Sequence, residues 1–237
     1  KRAVYKTHEM NIRQCLGEAV PTEIMRQVAH NIRSCLARKH LESIDINKII
    51  AQYSLDQKDN LFSFVEQNPE DLDVATLMRI TELCNAKREE NSAFYTNKFI
   101  VNEIMGQLPS FSKDTIHILE PSVGTGSFLP FLFKKYEGVP KVILDVVDVD
   151  EDSIALLKLI MAKLTIPANF EIHIHCHDFL TLNFPYRFDL AVGNPPFSKL
   201  KLGDKKVVGY LQNNHNKRTS NLSEMFLEKC IRCSDCV

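Results

Sequence analysis

An asparagine followed by two prolines and a phenylalanine, Asn194 to Phe197, constrains this chain more than any other segment. Neither proline has a backbone N–H group and both have a fixed φ, so the segment cannot lie inside a helix or a central strand. The six residues before it, 188–193, are mostly apolar. We therefore predict a buried strand that ends abruptly. Its carboxyl end, where open α/β sheets bind ligands, presents an amide side chain and rigid carbonyl groups.

The composition is that of an ordinary globular protein. The chain has 237 residues, of which 44% are hydrophobic, and its net charge is -1. A nucleic-acid-binding surface would therefore have to be local. No apolar stretch is long enough to span a bilayer and no signal peptide is visible, so we expect a cytoplasmic protein without a membrane partner. The odd number of cysteines, seven, predicts reduced thiols.

Two domains are predicted from the change in pattern along the chain. Residues 1–92 place apolar groups at helical spacing and predict an all-helical N-terminal domain. Residues 93–237 alternate strand-like and helical runs, which predicts an α/β domain with a doubly wound, Rossmann-like parallel sheet. The predicted strands are 116–119, 142–148, 170–176 and 188–193, and the predicted helices are 127–136, 151–164 and 222–233.

The segment 198–221, between the last strand and the last helix, is highly polar. It carries six basic residues against one acid, Asp204. We predict a mobile loop here, and phosphate contact is as plausible as a solvated connection. The basic residues are Lys199, Lys201, Lys205, Lys206, Lys217 and Arg218.

A glycine-containing turn follows the first predicted strand, from Glu120 through Pro121, Gly124 and Gly126. Glycines there allow a tight turn and the close approach of a ligand to the backbone, although the pattern also fits a plain strand-to-helix turn. The second strand ends at Asp148, where dinucleotide-binding folds place a carboxylate on ribose hydroxyl groups. We predict that Asp150 caps the following helix.

Four motifs belong together: Glu-Pro-x-x-Gly-x-Gly at 120–126, Asp148, His-Asp-Phe-Leu at 177–180 and Asn-Pro-Pro-Phe at 194–197. In combination they resemble the S-adenosylmethionine-dependent N6-adenine DNA methyltransferases of bacterial restriction–modification systems. The order is similar to their γ arrangement, in which a Phe/Tyr-Thr-Pro segment precedes the glycine motif. Residues 93–97 stand in that place, with Asn97 where the family usually has proline. The resemblance covers about residues 91–233.

The resemblance implies a cofactor, S-adenosyl-L-methionine, and a set of residues that bind it. Tyr95 and Thr96 would contact its methionine part, and the helix after Asn221 would close the pocket. Asp148 would bind the ribose, and Asp178 with Phe179 the adenine. The remaining implied cofactor contacts are Glu120 and Gly124 at the amino-acid end, together with Pro121, Gly126 and Asn194.

The predicted chemistry is methyl transfer to an amino group. The N6 amine of adenine is a poor nucleophile because its lone pair is delocalised into the ring. The Asn194 side-chain oxygen and the Pro195 carbonyl would accept its two hydrogens, and Pro196 would help to keep that backbone rigid. Phe197 would stack on an adenine flipped out of double-stranded DNA. Neither a metal nor a covalent enzyme intermediate is expected.

Two alternatives stay open. The Asn-Pro-Pro-Phe segment at 194–197 also resembles the motif of methyltransferases that act on guanine amino groups of RNA or on glutamine side chains of proteins. A non-catalytic cofactor-binding subunit is the other possibility. The Tyr95-Thr96 segment, the helical N-terminal domain and the basic segment after Phe197 favour DNA adenine.

Two further clusters have spacings that suggest metal ligands. Cys230, Cys233 and Cys236 lack a fourth ligand nearby, and packed thiols are favoured. His173, His175 and His177 alternate along one predicted strand, where a solvated face is favoured over zinc.

Four predicted strands fall short of the seven that methyltransferase sheets normally have, and no target-recognition domain is visible. We therefore expect a partial methyltransferase domain. The remainder would be supplied by the same protein or by a specificity or restriction subunit or domain.

Overall fold

The computed structural model describes residues 45–85, 98–201, 203, 205–213, 216 and 218–237. Tyr95 and Thr96 lie outside the described residues, as does most of the predicted N-terminal domain. Residues from Ile46 to Val237 form one compact unit. The division of the chain at residue 92 stays a prediction.

The described residues contain four strands and eight helices. The strands are β1 Thr115–Glu120, β2 Lys141–Asp148, β3 Phe170–Cys176 and β4 Leu190–Ala191. The helices are α1 Ile46–Gln52, α2 Lys58–Gln67, α3 Val74–Cys84, α4 Lys98–Gln107, α5 Leu129–Lys135, α6 Glu151–Met161, α7 Lys205–Asn213 and α8 Leu222–Cys233.

All four strands are parallel and form one sheet in the order β3-β2-β1-β4. In the middle of β1, Ile118 is aligned with Leu144 of β2 on one side and with Leu190 of β4 on the other. The chain therefore winds outward from β1 to β3 and then returns to the opposite side of β1. This confirms the predicted doubly wound, Rossmann-like sheet. It also creates a crevice at the carboxyl ends of β1 and β4, where such sheets bind ligands.

The sheet is covered on both faces, as its nearly continuous apolar strands require. On one face, Ile116, Ile118 and Leu144 pack in a cluster that includes residues of α4, α5 and α6. On the other face, Leu119 and Val147 pack in a cluster with residues of α7 and α8. Because successive strand residues point to opposite faces, one buried strand contributes to both clusters.

Helices α1 to α3 form a third apolar cluster on the outer side of α6. Phe64 of α2 and Ile80 of α3 are buried there with Leu156 and Ile160 of α6. Asp73 caps α3, since its side chain accepts a hydrogen bond from the Thr76 backbone N–H at 2.9 Å. Helix α6 therefore packs against the sheet with one face and against α1 to α3 with the other.

The prediction of a mobile loop over 198–221 was wrong in part. The structure has α7 at Lys205–Asn213, with Val207 and Tyr210 buried in the second apolar cluster. These two residues are three positions apart and share one face of the helix. The high lysine content hid this short apolar pattern. An antiparallel bridge between Lys199 and Asn221 joins the two ends of the segment.

The last predicted strand is also shorter than expected, because β4 comprises only Leu190–Ala191. On its outer side, the Ala191 N–H donates to the Cys236 carbonyl at 2.8 Å. Phe188 forms a parallel bridge with Ser234. The chain after α8 therefore runs alongside β4. None of the helices in the described ranges is long and apolar enough to cross a membrane.

Candidate active site

The turn after β1 depends on its two glycines. Gly124 has φ +53° and Gly126 has φ +91°. Residues with a Cβ atom rarely adopt this backbone region. A Cβ on Gly126 would lie only 2.7 Å from Cδ1 of Leu157 in α6. The Val123 N–H donates to the Val147 carbonyl of β2 at 2.9 Å and fixes the turn to the sheet. The absence of a side chain at Gly126 thus lets the turn pack close to α6 while it stays hydrogen-bonded to β2.

Glu120, the last residue of β1, is buried with 1% of its surface exposed. Its Oε2 atom and the Thr125 Oγ1 atom are buried without a hydrogen-bond partner among the described residues. Burial, and secondarily the nearby Asp148 carboxylate, raises the pKa of Glu120 well above its usual value. Buried polar atoms are normally hydrogen-bonded, so the turn retains unused capacity to bind a polar ligand.

Asp148 and Asp150, at the end of β2, have different surroundings. The Asp148 carboxylate accepts from the Gly124 N–H at 2.8 Å and from the Asp150 N–H at 2.9 Å. Burial raises the pKa of Asp148, and these two hydrogen bonds oppose the rise. The Asp150 side chain accepts from the Ser153 N–H at 3.3 Å and from its hydroxyl at 2.8 Å. The predicted cap is therefore confirmed, and Asp148 connects the glycine turn to the start of α6.

The segment after β4 lies directly against the glycine turn. The Ser122 hydroxyl donates to the Asn194 backbone carbonyl at 2.9 Å. A Cβ on Gly193 would lie 3.2 Å from Cδ of Pro121, so the two segments are closely packed. Pro195 and Pro196 are half-buried, whereas 54% of Phe197 is exposed. The structure thus brings the two principal predicted motifs together at the crevice.

Asp178 and Phe179 follow β3 and are held by the two last helices. The Asp178 carboxylate accepts from the Leu180 N–H at 3.0 Å and from the Tyr210 hydroxyl of α7. Phe179 is buried, with its ring centroid 5.0 Å from that of Phe226 in α8. The Lys229 ammonium donates to the Phe179 carbonyl and lies 4.8 Å from the centre of its ring. Asp178 is therefore oriented by contacts from its own turn and from α7.

Sequence reasoning missed several residues of this region, among them Val149 and Tyr210. Val149 stands between Asp148 and Asp150, and this apolar residue is 60% exposed. An apolar residue directly after a strand, flanked by two acids, was an available signal. Tyr210 had no such signal, because its contact with Asp178 joins positions 32 residues apart.

The two clusters with metal-like spacing have different surroundings, and Cys230 and Cys236 line a cavity together with Pro121, Gly193 and Pro195. Cys230 is buried beside α7, and burial raises the pKa of its thiol to about 12, whereas Cys236 packs against the cluster on the opposite face of the sheet. His175 Nε2 lies 2.6 Å from Oδ1 of the buried Asp145. Across the part of the chain that the structure describes, no group of three or more His, Cys, Asp or Glu side chains could hold a metal ion.

No protein-family profile matches the chain, but the chain is similar to known proteins. Over 149 residues, 63% of its length, the chain is 30% identical to the Type II methyltransferase M.CvrRI of Paramecium bursaria Chlorella virus XZ-6E. It spans 34% of that relative's length.

The chain is also similar to solved structures. A protein described as a class I S-adenosylmethionine-dependent methyltransferase from Listeria monocytogenes superposes with a TM-score of 0.51 at 15% identity, over 79% of this chain and 66% of that one. A modification subunit described as part of a type I restriction enzyme from Vibrio vulnificus YJ016 gives a TM-score of 0.48 at 19% identity, over 67% and 35% of the two chains.

The fold is that of the class I S-adenosylmethionine-dependent methyltransferases. The cofactor expected from the motifs, S-adenosylmethionine, agrees with this class. The similarity to a Type II methyltransferase confirms the resemblance to restriction–modification methyltransferases that the motifs indicated.

Proposed function

We propose that this chain is the catalytic part of a DNA adenine N6-methyltransferase of a restriction–modification system. It would transfer a methyl group from S-adenosylmethionine to an adenine flipped out of the duplex. The observation that supports this most is the contact between the glycine turn and the segment after β4, made by Ser122 and Asn194 at 2.9 Å. This contact brings a predicted cofactor site and a predicted amine-binding site to one crevice.

The residues around the crevice fit the cofactor's polar groups. Glu120 and Thr125 each bring a buried oxygen that lacks a partner among the described residues, and both oxygens suit the ammonium of the amino-acid end. Asp148 would accept from the ribose hydroxyls, and Asp178 from the adenine amino group. The exposed Val149 side chain offers an apolar surface to the adenine ring. When bound, the cofactor supplies an electrophilic methyl group on a sulfonium sulfur.

Asn194 carries the proposed chemistry on the substrate side. Its side-chain oxygen and the Pro195 carbonyl would accept the two N6 hydrogens of the target adenine and localise the nitrogen lone pair. Because both prolines fix the backbone, the acceptors need little reorganisation during the reaction. Holding the amine in line with the methyl group can contribute about 7–11 kcal/mol.

Phe197 would hold the flipped base. This residue is 54% exposed and follows Asn194 by three positions, so its ring offers an apolar face beside the proposed acceptors. Stacking of a base on an aromatic ring contributes about 1–3 kcal/mol. Double-stranded DNA is the proposed partner, with a separate subunit or domain for specificity or restriction.

Substitution of Asn194 tests this proposal. We expect Asn194→Ala to lower methyl transfer to unmethylated duplex DNA by ~100-fold or more, because a preorganised acceptor is lost. Cofactor affinity should fall far less than the rate, since Asn194 is one implied cofactor contact among several and most of the others lie at other strand ends. Labelled methyl transfer and calorimetric titration measure the two quantities.

Asn102→Ala is the matched control, because Asn102 lies exposed on α4. It should leave both quantities unchanged. Methyl transfer that survives Asn194→Ala would contradict the proposal. Transfer to guanine in RNA or to glutamine in protein would support the first alternative, and cofactor binding without any transfer would support a non-catalytic subunit.

A further inference from the structure

Tyr210 of α7 reaches a residue of the proposed cofactor site from a distant part of the chain. Its hydroxyl donates to Asp178 Oδ2, while the Leu180 N–H donates to Asp178 Oδ1 at 3.0 Å. Two hydrogen bonds from different elements therefore fix the plane of this carboxylate. Each carboxylate oxygen can accept a second hydrogen bond, so Asp178 keeps the capacity to bind a ligand.

The ring of Tyr210 is itself held in place. Val207 and Tyr210 are 1% and 7% exposed, and both belong to the apolar cluster that contains Phe179 and Phe226. Burial of this helix face leaves few rotamers for the tyrosine. The position of its hydroxyl is thus set by the packing of α7 against the sheet.

We propose that Tyr210 is a positioning residue of the cofactor site, which holds the Asp178 carboxylate oriented toward the amino group of the cofactor's adenine. The inference rests on the proposed function. It adds to that function a role for α7, which lies in the chain between Asn194 and α8. A displacement of α7 would release Asp178 and weaken recognition of the amino group.

The test replaces Tyr210 by phenylalanine in the full chain. Loss of a hydrogen bond to a charged group should raise the dissociation constant of S-adenosylhomocysteine about tenfold. At saturating S-adenosylmethionine the turnover rate should stay within about twofold of the unmodified protein, because the ordering of Asp178 affects cofactor binding.

Tyr186→Phe is the matched control. The Tyr186 hydroxyl donates to Oδ2 of the buried Asp145 at 2.7 Å, so the substitution also removes a tyrosine–carboxylate hydrogen bond. Asp145 lies in the middle of β2, away from the strand ends. We expect unchanged cofactor affinity in this variant.

A second ligand separates positioning from a merely structural role. S-inosylhomocysteine carries an oxygen where the adenine has its amino group, so it lacks the group from which Asp178 would accept. Tyr210→Phe should therefore reduce the preference for S-adenosylhomocysteine over the inosine analogue. An unchanged preference, or an unchanged or tighter affinity for S-adenosylhomocysteine, would overturn the inference. If the unmodified protein bound neither S-adenosylmethionine nor S-adenosylhomocysteine, the proposed function itself would fail.

Discussion

Glu120 is the last residue of β1 and only 1% of it is exposed. Its Oε2 atom lacks a hydrogen-bond partner among the described residues. Burial raises its pKa, and the Asp148 carboxylate adds to the rise. Such a group costs stability in the free protein, since its charged form is poorly solvated. The cationic end of a ligand would relieve this cost, which fits a residue selected for binding.

Glu120→Gln should reveal the cost as a dependence of stability on pH. The folded-state pKa lies above the unfolded value, so the native state binds the proton more tightly. The contribution of Glu120 therefore falls as pH rises from about 4.3, the unfolded value, toward the folded-state pKa. Each unit of raised pKa corresponds to about 1.4 kcal/mol. The free energy of unfolding of the variant, relative to that of the unmodified protein, should therefore increase from pH 5 to pH 8. Urea unfolding at the two pH values measures this difference.

Glu137→Gln serves as the control, because Glu137 is exposed after α5. Its effect on the free energy of unfolding should be the same at both pH values. If the stability that Glu120→Gln gains did not vary with pH, or fell as pH rose, the result would contradict the burial argument.

At the residue scale, the sequence predicted best where a motif fixes local backbone. The positive φ of Gly124 and Gly126 follows from their place in a tight turn. Ser122 and Tyr210 could not be predicted in the same way. Their contacts with Asn194 and Asp178 arise only when segments far apart in sequence pack together.

At the scale of elements, the junction between β2 and α6 uses two acids for two tasks. Asp148 is tied to the glycine turn, while Asp150 caps α6. The capped helix was predictable because a cap is a local pattern. The helix α7 was not, because only a few apolar residues in a basic segment mark its buried face.

Substitutions at these two acids should therefore have separate effects. Asp150→Ala should lower the free energy of unfolding by about 1 kcal/mol through loss of the cap, with little change in cofactor affinity. Asp148→Asn should weaken cofactor binding about tenfold through loss of a charged acceptor. Urea unfolding and calorimetric titration measure the two effects. Asp150→Ser should restore most of the stability, and a large loss of cofactor affinity in Asp150→Ala would refute this division of roles.

For the whole molecule, the alternating pattern was enough to predict a parallel sheet. The order β3-β2-β1-β4 then places the turns after β1 and β4 side by side. The pattern could not predict that the chain after α8 pairs with the outer side of β4, since Ser234 to Val237 is too short to show an alternation. The roles assigned to the site residues remain proposals.

The charge distribution of the whole molecule also bears on DNA binding. The net charge is -1, yet the segment after Phe197 is basic, and Lys199 and Lys201 are exposed. We expect the double substitution of these lysines by glutamate to lower duplex affinity and to reduce the salt dependence of binding by about two phosphate contacts. Titrations at several salt concentrations measure both. Lys134→Glu, an exposed charge reversal on α5, should have a smaller effect, and an equal loss would argue against a local contact.

Identification of the methylated nucleoside tests the central claim most directly. Unmethylated duplex DNA is incubated with the protein and S-adenosylmethionine, digested to nucleosides and analysed by mass spectrometry. The proposed function predicts N6-methyldeoxyadenosine, and its loss in Asn194→Ala. A methyl group on another base, or methylated RNA or protein with unmodified DNA, would contradict it.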